Sequence, residues 1–411
     1  MDALRVLADD LTGACDVGAE LLCWSGGVVV QPGPEARTPQ LRAGTLRVRN
    51  TQSRTLEPAA AARRVSDALD DVGPGWAGLV LKKIDTGLRG QRGAEIDAAM
   101  DALQVDEAFV LPAIPEIGRT TQYGRQMIGG VPVHLTAFAR DPQNPIRDAS
   151  VPAAVEASGR RRAGVIGLDA IRNGDLGATI DAARGDGASV LVCDAETDAD
   201  LERAVRGLLL RKRPLLLIGS VGLARALRRV LGSEPWGRAP LGAKPTTTPG
   251  MGVLLVAGSA HPTTRAQLAR AVERGLVHPV PVVVGERAEA AGMAAGRALR
   301  AGRATALVPP AAPCAEGSAA VLSAMRGAAL AALSRVRPSG LALVGGETAY
   351  EVLEGLGLPT LWLESRLSPL VVRAHLMSGP YAGLPLITKG GSTGAPDLVG
   401  AIVRQLGRGS V

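Results

Sequence analysis

The chain has 411 residues, and its 46 Lys and Arg outnumber its 39 Asp and Glu, which gives a formal net charge of +7. The length predicts more than one domain, because a single hydrophobic core rarely grows past about 250–300 residues, and the 46% of hydrophobic residues excludes intrinsic disorder. Single-strand and RNA binders usually add aromatic stacking platforms to a basic groove, and this chain has only two Phe, three Tyr and four Trp. We therefore expect no nucleic-acid partner.

From the sequence we expect neither secretion nor insertion into a membrane. The first residues carry no basic segment followed by an apolar one, and no stretch approaches the ~18 apolar residues of a transmembrane helix. The cysteines Cys15, Cys23, Cys193 and Cys314 and the four histidines are scattered without metal-ligand spacing. We expect a cytoplasmic protein with reduced cysteines, no membrane partner and no metal site formed by its own side chains.

Along the chain, short aliphatic runs alternate with Gly-bearing turns and helix-period stretches, a pattern typical of βα units on a parallel sheet. In the first half the predicted strands are residues 4–8, 46–48, 79–83, 109–113, 164–166, 190–193 and 215–218. In the second half they are residues 253–257, 280–284, 306–308, 341–344, 361–363 and 385–388. The sequence predicts an α/β fold of two domains, each a mostly parallel sheet flanked by helices, with a cleft between them.

Two segments interrupt this pattern. Residues 233–250 are dense in Pro and Gly and have no apolar period, so we place a linker there, between a first domain at 1–232 and a second at 251–411. Residues 115–145 are polar and rich in turn signals, which predicts a long structureless loop. Loops of that length in compact domains are usually functional, although a surface excursion without a role is the alternative.

Two adjacent acids, Asp9 and Asp10, follow the first predicted strand and precede Thr12 and Gly13 at the start of a helix. In open parallel sheets, ligands bind beyond the carboxyl ends of the strands. A carboxylate there can accept a proton from a substrate hydroxyl or hold Mg²⁺, whereas the structural alternative is that Asp10 only caps the helix. Both roles are compatible, and we favour a functional one.

Cations stand at the ends of two further predicted strands, each near a hydroxyl or an acid, and one of them is a lysine, a residue that is scarce in this chain. The side chains concerned are Arg54, Lys83, Asp85, Thr86 and Arg89. Cations that flank an acid and a hydroxyl can clamp a carboxylate or a phosphate. Each of these residues alone is typical of a charged surface, but the group at one sheet edge predicts a small anionic substrate.

The second half carries three Gly-bearing turns between a strand and a helix, at residues 258–261, 345–348 and 389–394. Glycines let the backbone approach a ligand closely, and the free N–H groups at a helix start attract phosphates. Ordinary βα loops also carry Gly and an N-cap, but three such turns in one domain favour a nucleotide site. The P-loop and G-x-G-x-x-G signatures are absent, and the G-x-S-x-G elbow fails because Ile218 stands at its first glycine.

Short motifs are distributed over nearly the whole chain, from residue 8 to residue 391. The motifs are ADDLTGA at 8–14, KID at 83–85, LRG at 88–90, PAIPE at 112–116, GRTT at 118–121, FARDP at 138–142, GSVGLA at 219–224, GGET at 345–348 and KGG at 389–391. This ordered set resembles the four-carbon acid sugar kinases. The resemblance implies an ATP-dependent kinase that acts on threonate, erythronate or an oxo-tetronate, with the acid sugar on the N-terminal domain and the nucleotide on the C-terminal one.

The resemblance also assigns residues. Those it implies for the substrate region are Asp9, Asp10, Arg54, Lys83, Asp85, Thr86, Arg89 and Arg119. Those it implies for the ATP region are Ser259, Gly345, Gly346, Glu347, Thr348, Gly390 and Gly391. Thr86-Gly87 stands where the family often has Ser-Thr, so the resemblance leaves the particular acid open.

From this assignment we expect Arg54, Lys83 and Arg89 to grip the acid sugar, and Asp10, or failing that Asp85, to orient or deprotonate the attacking hydroxyl. Mg²⁺ would bridge the ATP phosphates, and domain closure about the linker would exclude water. The alternatives are an NAD-dependent sugar-acid dehydrogenase or epimerase and a non-catalytic sugar-acid binding protein. A homodimer is the base-rate expectation for such an enzyme. The cations at the strand ends, which include Lys389, would bind these small anions. The net positive charge of the chain therefore indicates small anionic ligands.

Overall fold

The structure is a computed structural model that describes residues 4–36, 40–41, 44–73, 75–141, 143–211, 213–232, 246, 248–259, 261–285, 287–310 and 317–407. Most of the predicted linker, at 233–245 and 247, lies outside these residues, as does Cys314. The three cysteines within them, Cys15, Cys23 and Cys193, are free thiols.

The strands and helices follow one another in the alternation that the sequence predicts. The strands are β1 (Leu4–Ala8), β2 (Val28–Gln31), β3 (Leu46–Asn50), β4 (Leu79–Lys83), β5 (Ala108–Leu111), β6 (Arg119–Gln122), β7 (Arg125–Ile128), β8 (Val131–Pro132), β9 (Ala163–Ile166), β10 (Val190–Cys193), β11 (Leu215–Gly219), β12 (Val253–Ala257), β13 (His278–Pro281), β14 (Thr305–Val308), β15 (Gly340–Val344), β16 (Leu361–Ser368), β17 (Val371–Leu376) and β18 (Pro385–Lys389). The helices are α1 (Leu11–Glu20), α2 (Pro58–Asp67), α3 (Arg92–Leu103), α4 (Val151–Glu156), α5 (Leu168–Arg172), α6 (Leu176–Gly185), α7 (Asp198–Leu208), α8 (Val221–Leu231), α9 (Pro262–Glu273), α10 (Arg287–Arg300), α11 (Gly317–Leu333), α12 (Gly346–Gly355) and α13 (Leu398–Gly407). None of the helices in the described ranges is long and apolar enough to cross a membrane.

The chain divides into two compact units. The first consists of Met1–Gly26 with Ala43–Pro240, and the second of Gly27–Arg42 with Leu241–Val411. The sequence prediction placed residues 27–42 in the first domain, whereas β2 pairs antiparallel with β16, which belongs to the second unit. A four-residue aliphatic strand carries no signal of its partner, so this assignment needs the fold.

The sheet of the first unit is parallel throughout and has the order β3-β1-β4-β11-β5-β10-β9. Ala8, the last residue of β1, pairs with Asn50 at the end of β3 and with Lys83 at the end of β4. Lys83 in turn pairs with Gly219. The segments that follow these strands therefore leave the sheet at one edge, where the sequence places the acids and cations.

The described residues of segment 115–145, which the sequence predicts as a structureless loop, form regular structure. They contain the antiparallel strands β6, β7 and β8, followed by short 3-10 turns at Val133–Leu135 and Ala137–Arg140. Polar and turn-forming residues hid these strands, because the small sheet has half-exposed faces and so lacks a long aliphatic run. The prediction of a structureless loop is wrong.

The sheet of the second unit has the order β13-β14-β12-β15-β18-β17-β16-β2. It is parallel from β13 to β18, and the last strands, which the sequence underestimates or misses, pair antiparallel. Strand β16 runs on to Ser368, beyond the predicted end at residue 363, and β13 begins two residues before the predicted start at 280. The two-domain α/β prediction with mostly parallel sheets is confirmed.

Each unit has its own apolar core. In the first, aliphatic residues of β4, β5, β10 and β11 pack with α3, and in the second β12, β15 and β18 pack with α9 and α13. Central strands such as β11 and β12 are buried along their whole length, because helices cover both faces of a parallel sheet. This double burial explains why these strands read as continuous aliphatic runs in the sequence.

Candidate active site

Asp9 and Asp10 lie at the carboxyl end of β1, and both are almost completely buried. Asp10 caps helix α1: its Oδ1 accepts a hydrogen bond from the Gly13 amide at 3.0 Å, and its Oδ2 accepts one from the Thr12 hydroxyl at 2.6 Å. The capping role expected as the structural alternative is therefore present. It leaves open a second role, because the same carboxylate also contacts a cation of the site.

That cation is Arg54, which joins the two acids. Its Nε and Nη2 donate to the two carboxylate oxygens of Asp9, each at 2.9 Å, and its Nη2 also donates to Asp10 Oδ1 at 2.5 Å. Arg54 reaches this position because the Ser53 and Arg54 amides both donate to the Asp9 carbonyl, at 3.1 and 3.2 Å. The turn after β3 is thus tied to the turn after β1 through both backbone and side chain.

Lys83 completes the group from the end of β4. Its Nζ lies 3.7 Å from Asp9 Oδ1 and 3.7 Å from Asp10 Oδ1, and the side chain is 7% exposed. A Cβ at Gly13 would stand 2.4 Å from the Lys83 Nζ, so glycine at this position leaves room for the ammonium group. Two acids and two cations, predicted from separate segments, therefore form one buried cluster.

Asp85 and Arg89 form a second ion pair beyond the end of β4. Arg89 donates from Nε to Asp85 Oδ2 at 2.7 Å and from Nη2 to Asp85 Oδ1 at 3.2 Å, and its Nη1 reaches Asp141 Oδ2 at 3.0 Å. The turn between them places the buried Leu88 at a φ of 61°, a left-handed conformation that costs a non-glycine residue roughly 1–2 kcal/mol. Such strain concentrates at functional sites, and here it directs Arg89 back onto Asp85.

Thr86 and Arg119 meet beside this pair. The Arg119 guanidinium donates to the Thr86 hydroxyl, and it lies over the ring of Phe138 at 5.8 Å, while Arg89 lies over the same ring at 5.2 Å. Gly87 packs so closely on Phe138 that a Cβ there would stand 2.2 Å from the ring. The polar segment 115–145 thus supplies Arg119, Phe138 and Asp141 to the group of residues that follows β4.

Burial by itself would raise the pKa of Asp9, but Arg54 and Lys83 outweigh burial and lower this pKa to about 2. Burial opposes ionisation of Asp85 in the same way, and Arg89 and Arg54 hold its pKa well below the usual range. Burial works against the charge of Arg54 as well, yet Asp10 and Asp9 raise its pKa well above the ordinary value. Asp9 and Asp85 are therefore ionised at neutral pH, and their partner arginines stay charged.

Sequence reasoning missed a support behind the cluster. The fully buried Lys82 donates to Glu95 Oε2 at 2.7 Å, and Glu95 also accepts a hydrogen bond from the Ser53 hydroxyl, next to Arg54. Glu95 lies in the first turn of α3, where an acidic residue is common and gives no sign of a distant partner. Only the fold brings it to the turn that carries Arg54.

In the second unit the three Gly-bearing turns follow β12, β15 and β18, which are neighbours in the sheet. Ser259 lies at the centre: a Cβ at Gly391 would stand 2.2 Å from its Oγ, and a Cβ at Gly345 would stand 3.4 Å from its Cβ. Gly345 has a φ of 105°, which favours glycine, and its amide donates to the Lys389 carbonyl at 2.9 Å. The turns that carry Ser259, Gly345 and Gly391 are thus brought together.

The remaining residues predicted for this site lie on the same turns. Gly346, Glu347 and Thr348 open α12, and Thr348 is buried against Gly258, whose Cβ would stand 2.3 Å from the Thr348 Oγ1. Gly390 directly follows β18. A backbone cradle at helix starts, with side chains absent where they would fill it, fits a nucleotide phosphate chain.

Within the described ranges, no group of three or more His, Cys, Asp and Glu side chains is arranged to hold a metal ion. Mg²⁺ at phosphoryl-transfer sites is usually held by the phosphates and by one or two carboxylates and does not need such a cage. The residues present are therefore compatible with a magnesium ion that enters with a nucleotide.

Two family models match the chain. The one described as a sugar-binding N-terminal domain matches residues 4–227, and the one described as a nucleotide-binding C-terminal domain matches residues 254–399. A crystal structure of a Salmonella typhimurium LT2 protein superposes with a TM-score of 0.75 at 22% identity and covers 98% of this chain and 99% of that chain. One of a Haemophilus influenzae protein superposes with a TM-score of 0.68 at 19% identity, with the same coverage. At these identities the likeness shows the fold alone.

Curated relatives span nearly the full length. A D-threonate kinase of Salmonella typhimurium is 32% identical and covers 95% of this chain and 95% of its own length. A 3-oxo-tetronate kinase of Methylobacterium radiotolerans is 30% identical with 97% and 98% covered, and a D-erythronate kinase of Heliobacterium modesticaldum is 28% identical with 97% and 95% covered. The resemblance inferred from the motifs is confirmed, and the kinase prediction displaces the dehydrogenase and binding-protein alternatives. The chain therefore belongs to the kinase family that combines a sugar-binding N-terminal domain with a nucleotide-binding C-terminal domain, and it is a phosphotransferase with an alcohol group as acceptor.

Proposed function

We propose that the protein transfers the terminal phosphoryl group of ATP to a hydroxyl of a four-carbon acid sugar of the threonate, erythronate or oxo-tetronate class. The observation that carries the proposal is the buried cluster of Asp9, Asp10, Arg54 and Lys83, next to the Asp85–Arg89 pair. It offers guanidinium and ammonium donors to a carboxylate and acid oxygens to hydroxyls. Relatives that cover nearly the whole chain are named for this substrate class, which supports the choice of substrate.

The cations of the cluster bind the acid. Arg54 and Arg89 present planar forks, which match the geometry of a carboxylate, and Lys83 adds a point charge between Asp9 and Asp10. In the structure the forks are paired with the carboxylates of Asp9 and Asp85. A substrate carboxylate or hydroxyl would share the guanidinium groups with Asp9 and Asp85 or replace them. Until the acid sugar binds, these two carboxylates hold the guanidinium groups in place.

Asp10 orients the attacking hydroxyl. Its Oδ2 accepts a hydrogen bond from the Thr12 hydroxyl at 2.6 Å, so it already serves as acceptor for a donor of the kind that a sugar alcohol offers. Asp9 and Asp85 are weak bases, because paired arginines lower the pKa of each carboxylate. Phosphoryl transfer needs positioning and charge stabilisation more than a strong base, so an orienting carboxylate is sufficient.

The turns of the second unit bind the nucleotide. The amides at Gly345–Thr348 and at Gly390–Gly391 and the hydroxyl of Ser259 would hold the phosphate oxygens of ATP. Mg²⁺, when bound with the nucleotide, neutralises charge on the phosphates. Four expectations stay predictions: closure about the predicted linker, the interdomain cleft, the cytoplasmic location and the homodimer. Light scattering after size-exclusion chromatography measures the oligomeric state.

A coupled ADP-release assay tests the proposed function. The panel comprises D- and L-threonate, D- and L-erythronate and the 3-oxo-tetronates, each with ATP and Mg²⁺, with a five-carbon sugar acid as the control for chain length. We expect turnover on at least one four-carbon acid and a much lower kcat/KM on the five-carbon acid. Absence of acid-dependent ADP release across the panel would show that the substrate class is wrong.

A further inference from the structure

Lys389 is a lysine without a carboxylate partner, buried at the end of β18. Its side chain has no exposed surface, and its Nζ donates to Thr264 Oγ1 at 3.2 Å and to the Gly390 carbonyl at 2.9 Å. Within the described ranges, no Asp or Glu oxygen lies within 4.0 Å of this Nζ. Lys82, which is also fully buried, is instead paired with Glu95 at 2.7 Å.

The ammonium group supports the turn that follows β18. Thr264, which accepts from Lys389, donates its own hydroxyl to the Gly391 carbonyl at 2.7 Å. Gly391 is the residue whose Cβ would collide with the Ser259 Oγ. Lys389 therefore contacts the Gly390 carbonyl directly and the Gly391 carbonyl through one hydroxyl, so both peptide units of this turn depend on it.

A second polar group at the same turn lacks a partner. Thr393 is 8% exposed, and its Oγ1 is buried without a hydrogen bond, 3.8 Å from where a Cβ of Gly390 would stand. Buried hydroxyls are usually hydrogen-bonded in native structures, and Thr393 differs from the equally unsatisfied Thr388 because it lies at the glycine turn and not within the strand. An unpaired cation and an unsatisfied hydroxyl at one glycine turn indicate that an anionic ligand with acceptor oxygens completes the site.

Energetics favour the same interpretation. A buried charge without a counterion costs several kcal/mol, and proteins usually avoid the cost by pairing or by removing the charge. An apolar residue in the middle of this aliphatic sheet would avoid it entirely. A bound ligand that supplies the counter-charge would offset this cost, which accounts for a lysine at this position.

We propose, resting on the kinase function above, that Lys389 is a positioning residue for the nucleotide: its buried ammonium holds the 390–391 turn in its binding geometry and supplies the positive charge that the phosphates of the bound nucleotide compensate. The side chain acts through Thr264 and the turn carbonyls. In this role Lys389 does not contact the acid sugar.

The role has a pH signature. Burial lowers the pKa of Lys389 to about 8, and a nearby polyphosphate raises it again, so the complex holds more protons than the free protein above pH ~8. Nucleotide affinity is then constant below pH ~8 and falls at higher pH, by up to about tenfold per pH unit.

Neighbouring charged groups do not cause the low pKa of Lys389. The adjoining strands put Val344 and Val371 beside Lys389, and α9 brings Thr264, none of which titrates. Charged or titratable residues on the elements packed against β18 include His261 and Arg265 by the start of α9, Arg373 and His375 on β17 and Arg404 on α13. Burial is the one cause of the shift in the pKa of Lys389, so none of these groups sets it.

Calorimetric titration of the full-length protein with ADP and Mg²⁺ tests the proposal. Each pH, from 7.0 to 9.5, is measured in two buffers that differ in ionisation enthalpy, which gives the protons taken up on binding. We expect uptake near zero at pH 7 and approaching about one proton by pH 9. The variant Lys389→Met should lose this uptake and bind ADP about 10–100-fold more weakly at pH 7, with a raised KM for ATP and an unchanged KM for the acid.

A matched control lies next on the strand. Thr388 points to the opposite face of β18, and its buried Oγ1 has no hydrogen bond, so Thr388→Val should leave ADP affinity and proton uptake as in the wild type. The melting temperature without nucleotide separates function from structure: Lys389→Met should melt no lower than the wild type, because it removes an uncompensated buried charge.

Each result decides between the two proposals. Wild-type protein that binds ADP without pH-dependent proton uptake, or Lys389→Met that binds ADP as tightly as the wild type, would overturn the role of Lys389 and leave the kinase function intact. Wild-type protein that binds no ADP would instead overturn the proposed function. If Lys389→Met does not fold, proton uptake by the wild type alone decides.

Discussion

Asp10 combines two tasks at the amino end of α1. Its side chain satisfies the Gly13 amide of the first helical turn, and the same Oδ1 accepts a hydrogen bond from Arg54. A residue that both caps a helix and contacts a cation of the site makes alanine scanning ambiguous, because loss of the cap alone costs about 0.5–2 kcal/mol. A substitution that keeps the cap but removes the charge separates the two.

Asp10→Asn is that substitution. Asparagine caps helices about as well as aspartate, and Asp9 still pairs with Arg54, so we expect the free energy of unfolding to fall by about 1–3 kcal/mol, the cost of weakening one buried charge-assisted hydrogen bond. Turnover on the acid sugar should fall about 10²–10⁴-fold, because the amide cannot accept a proton and orients a hydroxyl poorly. Chemical denaturation and the ADP-release assay measure the two effects. Wild-type turnover in this variant would remove Asp10 from the mechanism.

At the scale of elements, the two sites are built in the same way. In each unit, segments that follow adjacent parallel strands converge at one sheet edge: the ends of β3, β1 and β4 in the first, and the ends of β12, β15 and β18 in the second. The first edge collects charged side chains, and the second collects glycines and the Ser259 hydroxyl. Parallel strands make both convergences possible, because all their carboxyl ends point the same way.

The glycine turns give a prediction at this scale. Gly391→Ala would place a Cβ 2.2 Å from the Ser259 Oγ, whereas the Cβ of Gly390→Ala would stand 3.8 Å from its nearest neighbour atom, Thr393 Oγ1. Neither residue has a positive φ, so backbone strain is not involved. We expect Gly391→Ala to raise the KM for ATP at least about tenfold, through displacement of Ser259 or of the turn, and Gly390→Ala to raise it less. Equal effects of the two variants on KM would contradict this account of the cradle.

On the scale of the whole molecule, some of the surface arginines are paired with nearby acids. Arg161 pairs with Asp97 at 2.9 Å and with Asp101 at 2.7 Å, and Arg211 pairs with Glu107 at 2.8 Å. The cations of the substrate site also lie buried among acids, so these side chains are not free to contact nucleic-acid phosphates.

This charge distribution predicts weak binding to RNA. Non-specific nucleic-acid binding needs free phosphate contacts and typically gives a Kd of about 10⁻⁴–10⁻⁶ M at physiological salt. We expect the anisotropy of a fluorescent 20-nucleotide RNA to stay flat up to about 100 µM protein in 150 mM salt. Micromolar binding with a steep salt dependence would mean that the arginines are more available than their ion pairs indicate.

The sequence alone was sufficient for the two-domain α/β architecture, because strands buried on both faces appear as uninterrupted aliphatic runs between Gly-bearing turns. It also pointed to Asp9, Asp10, Lys83 and Asp85 as site residues, because parallel strands bring the residues after them to one edge. The division of the site residues into a substrate group and a nucleotide group relied on the motif resemblance. The role of each residue stays a prediction.

Tertiary structure decided the pairings. The bonds from Arg54 to both acids, the support of Ser53 by Glu95 and the stacking of Arg89 and Arg119 on Phe138 join residues that lie about 20 to 50 positions apart in the sequence. The same holds for β2, which pairs with β16, and for Lys389, whose lack of a counterion is visible only when its surroundings are known. Local sequence encodes which elements form and what each one carries, whereas register and burial determine which side chains meet and which charges are left without a partner.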